Sequence, residues 1–191
     1  MFARRVRALR PPATEVGLAQ LAISTLPAAH GATLTVSSPA FGSGAVIPME
    51  HTQWNGNVFP GLSWSPGPAG TWSYVIVMQD GDALREGVPI LHWTMVNIPV
   101  GATALDAAMT TAPERAQHGP SVRGADQPYA GPRTPPGPRH RYHFQLFALD
   151  TALGAETLVS YAALMDAMHG HVLASGETVG LGEAPNRGRG G

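Results

Sequence analysis

Three apolar runs set the fold class of this chain. Trp72 to Met78 (WSYVIVM), Leu91 to Pro99 (LHWTMVNIP) and Tyr142 to Leu149 (YHFQLFAL) are rich in aromatic and β-branched residues and are bounded by turn clusters. Such residues fit a pleated, buried surface, and runs of this length separated by loops argue for an antiparallel, mainly β domain. Thr33 to Ser37 (TLTVS) predicts a further short strand, and His171 to Val179 a last one. A helix is expected over Thr157 to His169, with Leu158, Ala162, Met165 and Met168 or His169 on one face and Gly170 beyond its end.

The rest of the composition narrows the function classes. A hydrophobic fraction of 43% and a net charge of −1 are those of a folded globular chain, not a disordered one. Cysteine is absent, which removes disulfides, thiolate metal sites and a cysteine nucleophile. Twelve basic residues, all arginine, are balanced by thirteen acids, so charge gives no nucleic-acid footprint. No stretch reaches the ~20 apolar residues of a transmembrane span.

The sequence divides into an N-terminal extension at 1–32, a domain at 33–181 and a flexible tail at 182–191. The extension starts with Arg4, Arg5, Arg7 and Arg10, as an export signal would, but Glu15, Gln20, Ser24 and Thr25 interrupt the apolar run. Leu18, Leu21, Ala22 and Leu26 instead recur at helical spacing. A cytoplasmic protein with a short N-terminal helix is expected, with a periplasmic one as the alternative.

Chemistry-bearing residues gather where the apolar runs end. Asp80 and Asp82 follow the first run, His92 opens the second, and His140 leads into the third on the same face as Tyr142. If these strands are neighbours, one sheet rim collects a carboxylate, two imidazoles and a phenol. Gln117 to Arg139, with ten glycines or prolines in 23 residues, would wall it. Each residue also has a plainer reading: Asp80 and Asp82 as turn formers, His92 as a satisfied core histidine. His169 and His171 have no third partner nearby and make no metal site. His51, His118 and His143 read as surface residues.

Taken together, the clusters resemble the phosphatidylethanolamine-binding protein family, which includes Raf kinase inhibitor protein, and most of all its bacterial branch. That family carries an Asp-Pro-Asp-x-Pro turn with a His opening the next strand; here it stands as Asp80-Gly81-Asp82-Ala83-Leu84 with Leu91-His92-Trp93. Its second signature, a Tyr-x-Gly-Pro-x-Pro-Pro-x-Gly loop followed by His-Arg-Tyr, stands as Tyr129 to Gly137 and His140-Arg141-Tyr142. Gly81 and Leu84 replace the two prolines of the turn, and Arg133 and Thr134 replace a small residue or cysteine and the first proline of the loop.

The resemblance implies a large antiparallel sheet packed on a smaller one with a few flanking helices. It implies a pocket for phosphate-type anions or phospholipid headgroups, formed by Asp80, His92, Gly131, Pro135, His140 and Tyr142, with Asp82, Tyr129 and Arg133 at its edge. Within it, Asp80 would orient a histidine or meet a cationic headgroup, and Arg141 would pair with Asp82. A non-catalytic binding module is the leading expectation, with no cofactor and no metal. The alternative is a metal-dependent or acid–base hydrolase using Asp80, His92 and His140. A partner protein and a homodimer are further implications.

Overall fold

The computed structural model describes residues 13–124 and 126–185. Two short helices, α1 (Ala13–Ala19) and α2 (Ala22–Thr25), precede β1 (Ala32–Thr33) and β2 (Val36–Ser37). Then come β3 (Leu62–Trp64), β4 (Ser73–Arg85), β5 (Val88–Pro99), β6 (Ala104–Leu105), β7 (Gln117–His118), β8 (His140–Leu149), α3 (Tyr161–Met168) and β9 (Val172–Gly182). The basic segment from Arg4 to Arg10 and the end of the tail lie outside the described residues.

The large sheet has six strands in the order β1-β9-β8-β4-β5-β7, and the small one has three, β2-β3-β6. Every pair in the large sheet is antiparallel except β1 with β9, so the sheet is mixed rather than wholly antiparallel. The single strand expected over Thr33 to Ser37 is two: β1 pairs with β9, and β2 with β3 in the other sheet. The chain thus changes sheets within a few residues.

Both faces of the large sheet are covered, which is why its central strands read as continuous apolar runs. Along β4, Tyr74, Ile76 and Met78 pack toward the small sheet in one cluster. Val75 and Val77 join Leu164 and Met168 of α3 and Ala22 of α2 in another. Of the expected helical face, Leu158, Met165 and Met168 pack in this cluster, while Ala162 is exposed and Leu164 is buried in its stead. The helix begins late because the Ser160 hydroxyl accepts from the Ala163 N–H and caps it.

A buried amide pair ties the N-terminal helices to the sheet. Gln79 Oε1 accepts from the Ala22 N–H at 2.9 Å, Gln145 Oε1 accepts from the Ile23 N–H at 2.7 Å, and the two side chains bond each other. The helical stretch is broken at Leu21, whose backbone is extended.

Candidate functional site

The strand carrying Asp80 does not end in a turn. It runs on to Arg85, with a register shift between Asp80 and Leu84 that loops residues 81–83 out of the ladder. Asp80 Oδ1 stabilises this bulge by accepting from the Asp82 and Ala83 N–H groups at 3.0 and 3.1 Å. Gly81 fits here without a side chain, because a Cβ would meet His143 Nε2 at 2.9 Å. A side chain at 81, proline included, would require the His143 ring to shift.

The register Asp80↔Tyr142 brings the rim together across β4 and β8. Asp80 Oδ2 accepts from His140 Nδ1 at 2.8 Å while Asp80 itself is almost wholly buried. On β5, His92 directs Nδ1 to the carbonyls of Ala130 and Gly131 at 3.2 and 3.1 Å, and its ring stands edge-on to Tyr142 with centroids 5.0 Å apart. Asp82 belongs to a separate pair: its two oxygens grip Arg141 through the backbone N–H, Nε and Nη2. Burial raises the Asp82 pKa, but the Arg141 bonds and charge outweigh it and hold the carboxyl below its ordinary value.

The Gly/Pro loop is fastened at several points. Gly131 donates its N–H to Asn57 Oδ1 at 2.8 Å, and its carbonyl also accepts from Gln53 Nε2 at 2.7 Å. Thr134, fully buried, bonds the Tyr142 hydroxyl at 3.0 Å, and the Arg133 N–H donates to the same oxygen at 3.3 Å. The threonine at a family proline position thus supplies a bond the proline cannot. Tyr142 is turned toward this loop, and burial, with the nearby charge of Asp80, raises its pKa far above the ordinary phenol value. Pro135 is exposed on the outer part of the loop. The Arg133 guanidinium lies over the Trp54 ring, 5.4 Å from its centroid.

Some expectations need correction. Tyr129 is not at an edge: it is a core residue whose hydroxyl donates to the His51 carbonyl at 3.0 Å. His51 and His143 are buried, their Nδ1 atoms bonded to the Val58 carbonyl and to Glu177 while His143 Nε2 is buried without a partner, and His118 is half-buried against Trp93. Residues outside the predicted set also matter here. Asn57 and Gln53 hold the loop, and the Arg123 charge lowers the His92 pKa. All three are brought in from distant loops by contacts that no local pattern signals.

The geometry fixes what the histidines can do. With Nδ1–H of both rings committed, each neutral imidazole presents Nε2 as an acceptor, and only the imidazolium can donate there. Burial, chiefly, pushes the His92 pKa below its ordinary value, with Asp80 opposing. At His92, donation to an anion therefore requires that the ring first be protonated. Among the described residues no group of three or more His, Asp or Glu is arranged to hold a metal ion. The hydrogen-bond partners of His92 and His140 are carbonyls and Asp80 rather than a hydroxyl nucleophile.

A family model described as phosphatidylethanolamine-binding protein matches residues 37–183, which include every member of this rim. The chain belongs to the phosphatidylethanolamine-binding protein family. It is 35% identical over 152 residues to a UPF0098 protein of Methanothermobacter thermautotrophicus, covering 78% of this chain and 97% of that one. It is 36% identical over 131 residues to a Mycobacterium tuberculosis protein whose name includes the designation lipoprotein LppC, covering 68% of this chain and 62% of that one. The crystal structure of a phosphatidylethanolamine-binding protein homologue, CT736 of Chlamydia trachomatis, superposes with a TM-score of 0.70 at 30% identity, covering 80% of this chain and 98% of that one. The family fold of a large sheet on a small one with few helices is that described above.

The acid side of the stability profile follows from His92. Its pKa is lower in the folded protein than in the unfolded chain, so the stability it contributes is present above about pH 6.5 and lost as pH falls toward the folded value. His118, also lowered by burial, acts in the same direction. Urea unfolding at pH 7 and pH 5 should show the parent losing stability on acidification and His92→Phe losing less. Equal losses in both would remove His92 from this account.

Proposed function

We propose that this protein is a non-catalytic binding module that takes up a small phosphorylated or otherwise anionic group at the rim formed by Asp80, His92, Gly131, His140 and Tyr142. The observation that carries this reading is the paired fixing of two imidazoles. Asp80 orients His140, and the Ala130 and Gly131 carbonyls orient His92, so each ring keeps Nε2 for a ligand. Binding of an anion favours the imidazolium forms, and each protonated ring then offers a charge-assisted donor to a phosphate oxygen. Among the described residues the ring nitrogens of His92 and His140 bond carbonyls and Asp80 and no hydroxyl, which supports binding over nucleophilic hydrolysis. On location, the lipoprotein designation of the mycobacterial relative supports the exported alternative over the cytoplasmic one, although these 191 residues contain no cysteine to carry a lipid.

The test is thermal unfolding in inorganic phosphate and in phosphoethanolamine, parent against His92→Ala/His140→Ala. A ligand that binds the native state alone adds about 2.7 kcal/mol at a hundredfold excess over its Kd. A rise in melting temperature in the parent and none in the double variant is expected. No rise in the parent with either ligand refutes the reading.

A further inference from the structure

We infer that Arg123 and Arg133 make the rim selective for a phosphate monoester whose far end is an anion, such as a carboxylate, over one that ends in an ammonium group. This selectivity rests on the anion-binding reading above and extends it to the charge on the rest of the ligand. Arg123 Nη2 donates to Gln53 Oε1 at 2.5 Å, and Gln53 Nε2 donates in turn to the Gly131 carbonyl at 2.7 Å. That carbonyl is one of the two that accept from His92 Nδ1, so one amide side chain links the guanidinium to the strap that orients the ring. The next residue, Trp54, carries the Arg133 guanidinium over its ring, while the Arg133 backbone N–H donates to the Tyr142 hydroxyl. Gln53 and Trp54 thus hold two exposed arginines beside residues 131–133.

Both holders are neutral. Arg139 pairs with Glu183 and Arg141 with Asp82, but among the described residues no carboxylate forms an ion pair with Arg123 or Arg133. Their charges are therefore available to a ligand.

An ammonium group, by contrast, needs a carboxylate that is free to meet it. Asp80 already accepts from the Asp82 and Ala83 N–H groups and from His140, and it is 3% exposed. Its bonds favour the histidine-orienting role over contact with a cation. Asp82 is held by Arg141, Glu50 lies 3.4 Å from His51 Nε2, and the charge of Asp126 acts on His118. His92 adds to the contrast. Burial disfavours its imidazolium, and Arg123 disfavours it further, against the opposing charge of Asp80. A ligand carboxylate would offset Arg123 and help the ring gain the proton it needs to donate. A ligand ammonium would add one more repelling cation.

Three ligands of similar size separate this charge from the phosphate they share: 2-phosphoglycolate ends in a carboxylate, ethyl phosphate in a methyl group and phosphoethanolamine in an ammonium. Calorimetric titration of the full chain at low ionic strength should give affinities falling in that order, by about tenfold from first to last. High salt should narrow the span, because exposed charges are screened. Arg123→Gln/Arg133→Gln should reduce the ratio to about twofold, and Arg123→Lys/Arg133→Lys should keep most of it. Each ratio is taken within one protein, so a change in the phosphate contacts common to all three ligands cancels. The selectivity is overturned by equal affinities in the parent, by phosphoethanolamine binding tightest, by a glutamine variant that keeps the full ratio, or by a lysine variant as indifferent as the glutamine one. In each of these cases the anion-binding reading stands. Failure of all three ligands and of inorganic phosphate to bind the parent refutes that reading, and the selectivity with it.

Discussion

Gly131→Ala is expected to lower the melting temperature by about 10 °C and to abolish the response to phosphate. A Cβ at residue 131 would stand 2.1 Å from the His51 carbonyl oxygen and 3.0 Å from the Tyr129 hydroxyl. The first of these is backbone, held by the Tyr129 bond and by a helical turn at Met49–His51, so it cannot step aside as a flexible side chain would. The strap itself must move. It is fastened by Asn57 to both the Tyr129 carbonyl and the Gly131 N–H, and by the Gln53 N–H to the Pro132 carbonyl at 2.9 Å. Overpacking of this kind costs about 3 kcal/mol, and each kcal/mol is worth about 2–4 °C in a domain of this size. Moving the strap also withdraws the carbonyls that orient His92. Gly42→Ala, with nothing within 4 Å of the new Cβ, is the matched control and should melt with the parent. Should Gly131→Ala and Gly42→Ala melt together, the close approach of 131 to 51 is not what fixes the loop.

That loop shows where the sequence is readable and where it is not. The aromatic and β-branched content of Tyr74 to Met78 marks a buried strand because both sheet faces are apolar, and no distant partner is needed to see it. The Asp82–Arg141 pair is legible as well, since alternation along β8 turns Arg141 away from His140. The extension of β4 past Asp80 is hidden, because Asp-Gly-Asp has the composition of a turn whether it reverses the chain or bulges within a strand. His51 and His143 read as surface residues for a similar reason: a polar side chain is buried only when its partners arrive, and Val58 and Glu177 are supplied by the fold. Over residues 157–169 the expected apolar face departs only at Ala162, and the Ser160 cap starts the helix later than the periodicity alone suggests. Local composition thus fixes elements, while burial of polar groups and strand continuity depend on pairings made across the sheet.

Asp80 joins these two levels, and its variants separate its roles. Its Oδ1 holds the bulge through two backbone N–H groups, and its Oδ2 holds the His140 Nδ1–H, all at a position 3% exposed. Asp80→Ala leaves three donors without partners and should cost about 3 kcal/mol. Asp80→Asn keeps an oxygen for the backbone pair and should cost about 1 kcal/mol. Its amide, however, now faces His140 with a donor, so the neutral ring must carry its proton on Nε2 instead of Nδ1. That change converts Nε2 of His140 from acceptor to donor without any uptake of a proton. Calorimetry of phosphate binding in two buffers of different ionisation enthalpy reads this directly. The parent should take up protons on binding, and Asp80→Asn should take up fewer, with a flatter dependence of affinity on pH between 5 and 8. Equal proton uptake by the two proteins would mean that Asp80 does not set the His140 tautomer. Equal stability of the Ala and Asn variants would mean that its bonds to the bulge contribute nothing. Because the two measurements fail independently, the pair of variants distinguishes a carboxylate that shapes the strand from one that governs how the rim meets an anion.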